Sequence, residues 1–138
     1  MIEDIAHIAI AVRSLEEALP FYTDSLGLTL EAIEELPAEK VRVAFLKVGS
    51  SHFELLEPTA SDSPISRFLE TRGPGLHHVA LTTTNLGQRL RELQGKSVRL
   101  LDQSPRPGAE GKDVAFVHPK ASGGVLFELC AERPEGTP

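Results

Sequence analysis

The sequence predicts an α+β fold in which one domain, spanning residues 1–138, is built from two βαβββ modules. Three segments that occur twice predict this duplication, and their shared order and near-constant spacing indicate one repeated structural unit. The repeated pairs are His7-Ile8-Ala9-Ile10 with His78-Val79-Ala80-Leu81, Ala44-Phe45 with Ala115-Phe116, and Phe53-Glu54-Leu55 with Phe127-Glu128-Leu129.

The first module, about residues 4–60, is predicted to contain four strands and one helix. Residues 5–12, 28–33, 41–48 and 52–57 have the alternating or β-branched pattern of strands. After the first strand, Ser14 and Glu17 form the capping box of a helix that ends near Gly27. Pro20 lies inside this helix and predicts a kink, because proline lacks the N–H that the helix needs.

The second module, about residues 76–131, repeats this order of elements. Strands are predicted at residues 78–83, 97–102, 113–118 and 124–130, and Asn85 begins a helix that Gly95 ends. Between the modules, a linking helix at about 63–73 is predicted from a capping serine, a proline in the first turn and a glycine after the end. Proline and glycine in the segment 104–112 predict a mobile loop near the site.

Composition excludes several classes of protein. Twenty acidic residues against 14 basic ones leave a net charge of −6, whereas nucleic-acid binding requires a basic surface. No apolar run approaches the roughly 20 residues of a membrane span, and the acidic N-terminus does not resemble a secretory signal. Cys130 is the single cysteine, so an internal disulfide is impossible and a cytoplasmic location in a reducing compartment is expected.

The repeated segments contain the candidate site residues. Alternation along the first strand places His7 opposite the apolar residues Ile8 and Ile10, and His78 holds the same position in the second module. Glu54 and Glu128 each interrupt an otherwise apolar strand, where a carboxylate is costly unless it is paired or metal-bound.

Two imidazoles and two carboxylates could converge on one divalent metal ion if the sheets curve round a common cleft. Octahedral coordination would then leave two adjacent positions for two oxygens of one substrate. A single histidine near a strand start is more often hydrogen-bonded or on the surface, and only the repetition favours a ligand role. His52 and His77 are interpreted as neighbours of the site rather than as ligands.

Several motifs resemble methylmalonyl-CoA epimerase, a family of the vicinal-oxygen-chelate (glyoxalase-like) superfamily, over residues 4–131. The motif from His118-Pro119-Lys120 to Gly123-Gly124-Val125-Leu126-Phe127-Glu128-Leu129 is the most specific; Asp62-Ser63-Pro64-Ile65 and Gly75-Leu76-His77-His78 support it. The resemblance implies a curved mixed sheet around a metal-containing cleft and a homodimer. It also implies interconversion of (R)- and (S)-methylmalonyl-CoA in propionate metabolism.

The resemblance also assigns roles. It implies one divalent ion per chain, with cobalt favoured over Mn²⁺, Ni²⁺, Zn²⁺ or Mg²⁺, held by His7, Glu54, His78 and Glu128. Glu128 would also transfer the proton of the acyl group, and Glu54 is either a plain ligand or the second acid/base. This chain lacks the further glutamate that some members carry in the strand at 41–46.

Basic residues are candidates for binding the anionic substrate. Lys120 and His118 are assigned to the substrate or its CoA moiety, and Arg42 faces either the substrate carboxylate or solvent. Arg106 and Lys112 are candidates for CoA phosphates, although ordinary surface charges are equally expected there.

Three other functions remain open at this point. A glyoxalase-I-like lactoylglutathione lyase would use the same two histidines and two glutamates. A metal-free small-molecule-binding protein shares the fold but normally lacks the ligands. An extradiol dioxygenase would need an iron site of two histidines and one carboxylate, and Glu54 as a fourth candidate ligand disfavours it.

Overall fold

A computed structural model describes residues 2–133, and the chain divides into two compact units. The first unit is His7–His77, which includes the linking helix. The second unit combines Met1–Ala6 with His78–Pro138, so the beginning of the first strand belongs to it. The prediction of a single domain over residues 1–138 stays a prediction.

The first unit contains four strands, and the last of them lies beside the first. Strand β1 pairs in parallel with β4, β4 pairs antiparallel with β3, and β3 pairs antiparallel with β2. A two-residue turn joins β3 and β4, and Gly49 supplies the positive φ of 60° that such a turn requires. The elements are β1 (Ile2–Ala11), α1 (Leu15–Pro20), β2 (Thr29–Leu36), β3 (Val41–Val48), β4 (Ser51–Pro58) and α2 (Pro64–Arg72).

The second unit repeats the strand order of the first. Strand β5 pairs in parallel with β8, β8 pairs antiparallel with β7, and β7 pairs antiparallel with β6. Each unit therefore contains a mixed sheet in which the first and last strands are neighbours. The elements are β5 (Gly75–Thr83), α3 (Leu86–Gly95), β6 (Arg106–Pro107), β7 (Lys112–Val117), α4 (Pro119–Ser122) and β8 (Phe127–Glu132).

The helix of each unit packs on one face of its own sheet. Leu15 of α1 shares a buried cluster with Val12, Ala44, Leu46 and Leu55. In the second unit, the equivalent cluster is formed by helix and sheet residues. Its buried members are Leu86, Leu90, Leu100, Ala115, Leu129 and Ala131. Burying these apolar side chains leaves the opposite face of each sheet available for polar groups.

The predicted helix boundaries agree closely with the structure. Ser63 caps α2 and its Oγ accepts a hydrogen bond from the N–H of Ile65, while Gly73 follows the helix with a φ of 74°. Ser14 caps α1 through the N–H of Glu17. The regular α-helix ends at Pro20, and a π-helical turn continues over Phe21–Ser25, short of the predicted end near Gly27. The kink at Pro20 stays a prediction.

The prediction of a strand at 97–102 is wrong. Among the described residues, this segment has only one isolated bridge, from Leu100 to Val117, and it turns at Ser97 with a φ of 61°. On the edge of β7 that faces away from β8, the paired strand is the short β6, at Arg106–Pro107. Proline offers no N–H to a strand ladder, which limits the length of this edge strand.

The segment 104–112, predicted as a loop, is more ordered than an irregular connection. It contains β6 and a 3₁₀ turn at Ala109–Gly111, and Lys112 already belongs to β7. Its predicted mobility stays a prediction. The short helix α4, which Pro119 begins and His118 caps, was not predicted. None of the helices between residues 2 and 133 has the length and apolar character that a membrane crossing needs.

Candidate metal-binding and active site

In the first unit, the predicted residues His7 and Glu54 are in direct contact. The register pairs Ala9 of β1 with Glu54 of β4, which places His7 two residues away on the same sheet face. The His7 Nδ1 and Glu54 Oε2 atoms are 2.8 Å apart, and both side chains are 13% exposed. A carboxylate this deeply buried is compensated by the imidazole beside it.

The second unit contains the equivalent contact in the same register. Ala80 of β5 pairs with Glu128 of β8, and His78 again lies two residues before the alanine. The His78 Nε2 and Glu128 Oε1 atoms are 3.3 Å apart, with side-chain exposures of 8% and 10%. The predicted equivalence of His7 with His78, and of Glu54 with Glu128, therefore extends to the hydrogen-bonding register.

Small residues make room for each histidine–glutamate pair. Ala9, Ala11 and Ala80 are fully buried on the same sheet faces as the pairs, so the residue that follows each histidine on its face of the strand is small. Phe116 pairs with Glu128 across β7 and β8, and its ring contacts the His78 ring edge-on at 5.3 Å. This aromatic contact restrains the imidazole on its apolar side.

His7, His78 and Glu128 each offer a metal ion one ligand atom, a ring nitrogen or a carboxylate oxygen. Glu54 is not one of these three residues, but its carboxylate contacts His7. Its role as a ligand stays a prediction. Neutral imidazoles and carboxylates are ligands that Zn²⁺, Co²⁺, Mn²⁺ and Ni²⁺ accept, so the donor chemistry fits a divalent transition metal.

The other histidines have contacts of their own. His52 Nε2 lies 2.6 Å from Glu31 Oε1, and the ring of His77 contacts Phe68 edge-on at 5.0 Å. His118 caps α4, and its Nδ1 accepts a hydrogen bond from the N–H of Lys120. Desolvation, and then the charges of Arg99 and Lys120, lower the pKa of His118 below its ordinary value of 6.5, which keeps the ring neutral at pH 7.

Arg42 lies on the opposite sheet face from His7 and Glu54. Its Nη1 donates to Glu57 Oε1 at 3.0 Å, and the other oxygen of Glu57 accepts from the N–H of Leu15 at the start of α1. Arg42 therefore supports a helix N-terminus, where a carboxylate is favourable. Its substrate-binding role stays a prediction.

Phe116 is a site residue that the sequence interpretation did not assign. The sequence did contain an indication of this role, because Ala44-Phe45 and Ala115-Phe116 belong to the repeat. In the structure, both phenylalanines pair with the glutamate of their unit. A cavity of about 310 Å³ in the second unit lies instead on the helix face, among residues such as Leu81, Leu93 and Leu129. It is separate from the face that carries His78 and Glu128.

Residues 6–116 match the Glyoxalase/Bleomycin resistance protein/Dioxygenase superfamily. The chain is 43% identical to the mitochondrial methylmalonyl-CoA epimerase of Mus musculus over 124 residues, 89% of this chain and 70% of that protein. It is 37% identical to the ethylmalonyl-CoA/methylmalonyl-CoA epimerase of Cereibacter sphaeroides, over 94% of this chain and 98% of the relative.

Solved structures show the same likeness. A variant of the Streptomyces coelicolor methylmalonyl-CoA epimerase, in complex with 2-nitronate-propionyl-CoA, matches with a TM-score of 0.91 and 34% identity, covering 97% of this chain and 100% of that one. This confirms the predicted α+β fold class of paired βαβββ modules. The chain therefore belongs to the Glyoxalase/Bleomycin resistance protein/Dioxygenase superfamily and, within it, to the methylmalonyl-CoA epimerase family.

Proposed function

We propose that this protein interconverts (R)- and (S)-methylmalonyl-CoA. The observation that carries the proposal is the pair of histidine–glutamate contacts, His7 with Glu54 and His78 with Glu128, at the same register in two repeated units. Membership of the epimerase family supports the choice of substrate, because the named relatives act on methylmalonyl-CoA or ethylmalonyl-CoA.

The four residues His7, Glu54, His78 and Glu128 would together hold one divalent metal ion. Cobalt is our first choice, and manganese, nickel, zinc and magnesium are the alternatives; the imidazole ligands favour transition metals over magnesium. When bound, such an ion supplies Lewis-acid stabilisation of the negative charge that develops on the thioester and carboxylate oxygens.

The glutamates would carry out the proton transfers. The α-carbon of methylmalonyl-CoA lies between a thioester carbonyl and a carboxylate, which makes its C–H bond acidic enough for a general base. Glu128 removes this proton, and the electron pair of the broken bond moves to the thioester oxygen. Return of a proton to the opposite face of the carbon produces the other epimer, and Glu54 is the candidate acid for that step.

Glu128 suits the role of base because it is shielded from bulk water. Its side chain is 10% exposed, and Phe116 and Ala80 are its register partners on the two neighbouring strands. Limited access of water lowers the local dielectric, so interactions with a developing charge are stronger than in bulk solvent.

Further parts of the proposal concern substrate binding and the setting of the enzyme. His118 and Lys120, at the N-terminus of α4, would contact the CoA moiety. We also propose a homodimer that acts in propionate metabolism in the cytoplasm. The thiol of Cys130, the single cysteine of the sequence, is buried, which is compatible with a reducing compartment.

Two of the competing functions are disfavoured by specific observations. A metal-free binding protein would not need two buried histidine–glutamate pairs, which are costly to desolvate. A lactoylglutathione lyase would use the same ligand types, but the relatives from Mus musculus and Cereibacter sphaeroides are epimerases that act on acyl-CoA substrates.

Hydrogen exchange at the α-carbon tests the proposed activity. The protein would be incubated in D₂O with Co²⁺ and (S)-methylmalonyl-CoA, and mass spectrometry would follow deuterium incorporation. We expect rapid incorporation and formation of the (R) epimer. The hemithioacetal of glutathione and methylglyoxal is tested as the competing substrate. Turnover of this hemithioacetal, with no deuterium incorporated into methylmalonyl-CoA, would contradict the proposal.

A further inference from the structure

We infer that Arg106 binds an oxyanion of the acyl-CoA, either the carboxylate of the acyl group or a phosphate of CoA, and thereby orients the substrate. This inference rests on the proposed function, since it concerns the substrate of the same site. The structure supports it through the position of Arg106, the contacts that hold its guanidinium, and a difference between the two units.

Arg106 lies on the sheet face that carries the second histidine–glutamate pair. It pairs with Val114 of β7, and Phe116, two residues further along β7, pairs with Glu128 of β8. Because residues two apart in a strand share a face, Arg106 and Glu128 point to the same side of this sheet. The Arg106 Cζ atom lies 5.4 Å from the centre of the Phe116 ring, and the same ring contacts His78 edge-on.

A hydrogen bond to an anchored carboxylate holds the guanidinium in place before any substrate binds. Arg106 Nε donates to Asp102 Oδ1 at 3.1 Å, and Asp102 Oδ2 accepts from the N–H of Phe116 at 2.8 Å. Asp102 is thus anchored to the strand that carries the ring beneath Arg106. A guanidinium has five N–H donors in a planar fork that matches carboxylate and phosphate oxygens, and a restrained side chain loses less entropy on binding.

The first unit has the opposite charge at the matching position. Val43 and Val114 correspond in the repeat, because each precedes its unit's Ala-Phe segment. Val43 pairs with Glu34 of β2, whereas Val114 pairs with Arg106 of β6. The histidines, glutamates and phenylalanines therefore occur in both units, whereas the positive charge of Arg106 in the second unit is replaced by the negative charge of Glu34 in the first.

The charge difference has a consequence for an anionic substrate. The two histidine–glutamate pairs are alike in type and by themselves give an oxyanion no preference for either unit. Arg106 favours the second unit, because a guanidinium attracts an oxyanion, whereas the carboxylate of Glu34 at the matching position of the first unit repels it.

The decisive experiment compares Arg106→Gln with Arg133→Gln. Arg133 is a matched control: its Nε donates to Asp113 Oδ1, also at 3.1 Å, and Asp113 points away from the face of Val114 and Phe116. Isothermal titration calorimetry would measure the affinities of malonyl-CoA, propionyl-CoA and malonyl-pantetheine. The first carries a carboxylate and phosphates, the second only phosphates, and the third only the carboxylate.

We expect Arg106→Gln to weaken malonyl-CoA binding by about tenfold to hundredfold, the loss of a charge-assisted hydrogen bond. If malonyl-pantetheine also binds more weakly and propionyl-CoA does not, the oxyanion is the carboxylate. If propionyl-CoA also binds more weakly and malonyl-pantetheine does not, the oxyanion is a phosphate. Arg106→Lys, which retains the charge but not the fork, should give an intermediate loss and replaces Arg106→Gln if that variant does not fold.

Unchanged affinities, an equal loss for all three ligands, or the same loss in Arg133→Gln would each overturn the inference. Affinity for these ligands does not depend on turnover, because removal and return of an α-proton leaves each of them chemically unchanged. A wild-type protein that binds malonyl-CoA through Arg106 but fails to exchange the α-proton would therefore contradict the proposed function and leave the role of Arg106 intact.

Discussion

The two glutamates of β8, Glu128 and Glu132, differ in the residues that surround them. Glu128 lies beside His78, with Ala80 and Phe116 as its strand partners, so a carboxylate that would be solvated elsewhere is held in a largely apolar setting. Glu132 lies four residues further along β8 but is exposed. The same residue type in the same strand therefore has different surroundings, and the proposed function predicts different consequences of substitution.

Glu128→Gln should slow α-proton exchange by about 100-fold to 10,000-fold, because an amide cannot act as the general base. The measurement is deuterium incorporation into methylmalonyl-CoA, with circular dichroism as the check on folding. Glu132→Gln removes a charge from the same strand and should exchange at nearly the wild-type rate. Equal rates for the two variants would argue against Glu128 as the base.

At the scale of elements, the short strand β6 and its connection to β7 depend on one close approach. Gly108 N–H donates to the carbonyl of Lys112, and a Cβ built on Gly108 would lie 2.6 Å from Val114 Cγ1. Valine has few rotamers with which to move away. Since Val114 is the strand partner of Arg106, a change at Gly108 would also disturb the position of that arginine.

Gly108→Ala should lower the free energy of unfolding by about 1–3 kcal/mol, the usual cost of forcing an extra group into a packed site. Gly95→Ala is the matched control, because no neighbouring atom lies within 4 Å of the position that its methyl group would take, and Gly95 ends a helix. It should be neutral or stabilising by up to about 1 kcal/mol. Urea denaturation of both variants measures the difference, and a neutral Gly108→Ala would show that β6 can move without cost.

At the scale of the whole molecule, the proposed metal ion would bind the residues of both histidine–glutamate pairs. A ligand that binds only the folded protein adds to its stability, and the gain depends on the ratio of its concentration to the Kd. The ion should therefore stabilise the protein as a whole and not one unit alone.

Chelation of the metal should lower the Tm, and Co²⁺ at a hundredfold excess over its Kd should raise it again by roughly 5–10 °C. Differential scanning calorimetry measures this rise. His78→Ala should lose most of it, whereas His77→Ala, which removes the adjacent imidazole, should retain it. A rise that survives in His78→Ala would place the ion elsewhere.

The periodic features of the sequence were sufficient to predict most of the fold. Ser63, Pro64 and Gly73 marked both ends of α2, because capping and positive φ are local properties. The alternation around His7 and Glu54 identified the polar face of their strands, since side-chain direction in a strand depends only on position along it. Because the segments repeat, the same polar face was predicted for His78 and Glu128.

Only the tertiary structure decided how those residues are paired and what surrounds them. The sequence predicted a strand at 97–102, but pairing with β7 is made by Arg106–Pro107, because strand pairing depends on partners distant in the chain. Likewise, the contact of Arg42 with Glu57 and the placement of Arg106 over Phe116 depend on register between strands. Local sequence determined which residues share a face, whereas long-range pairing determined which of them meet.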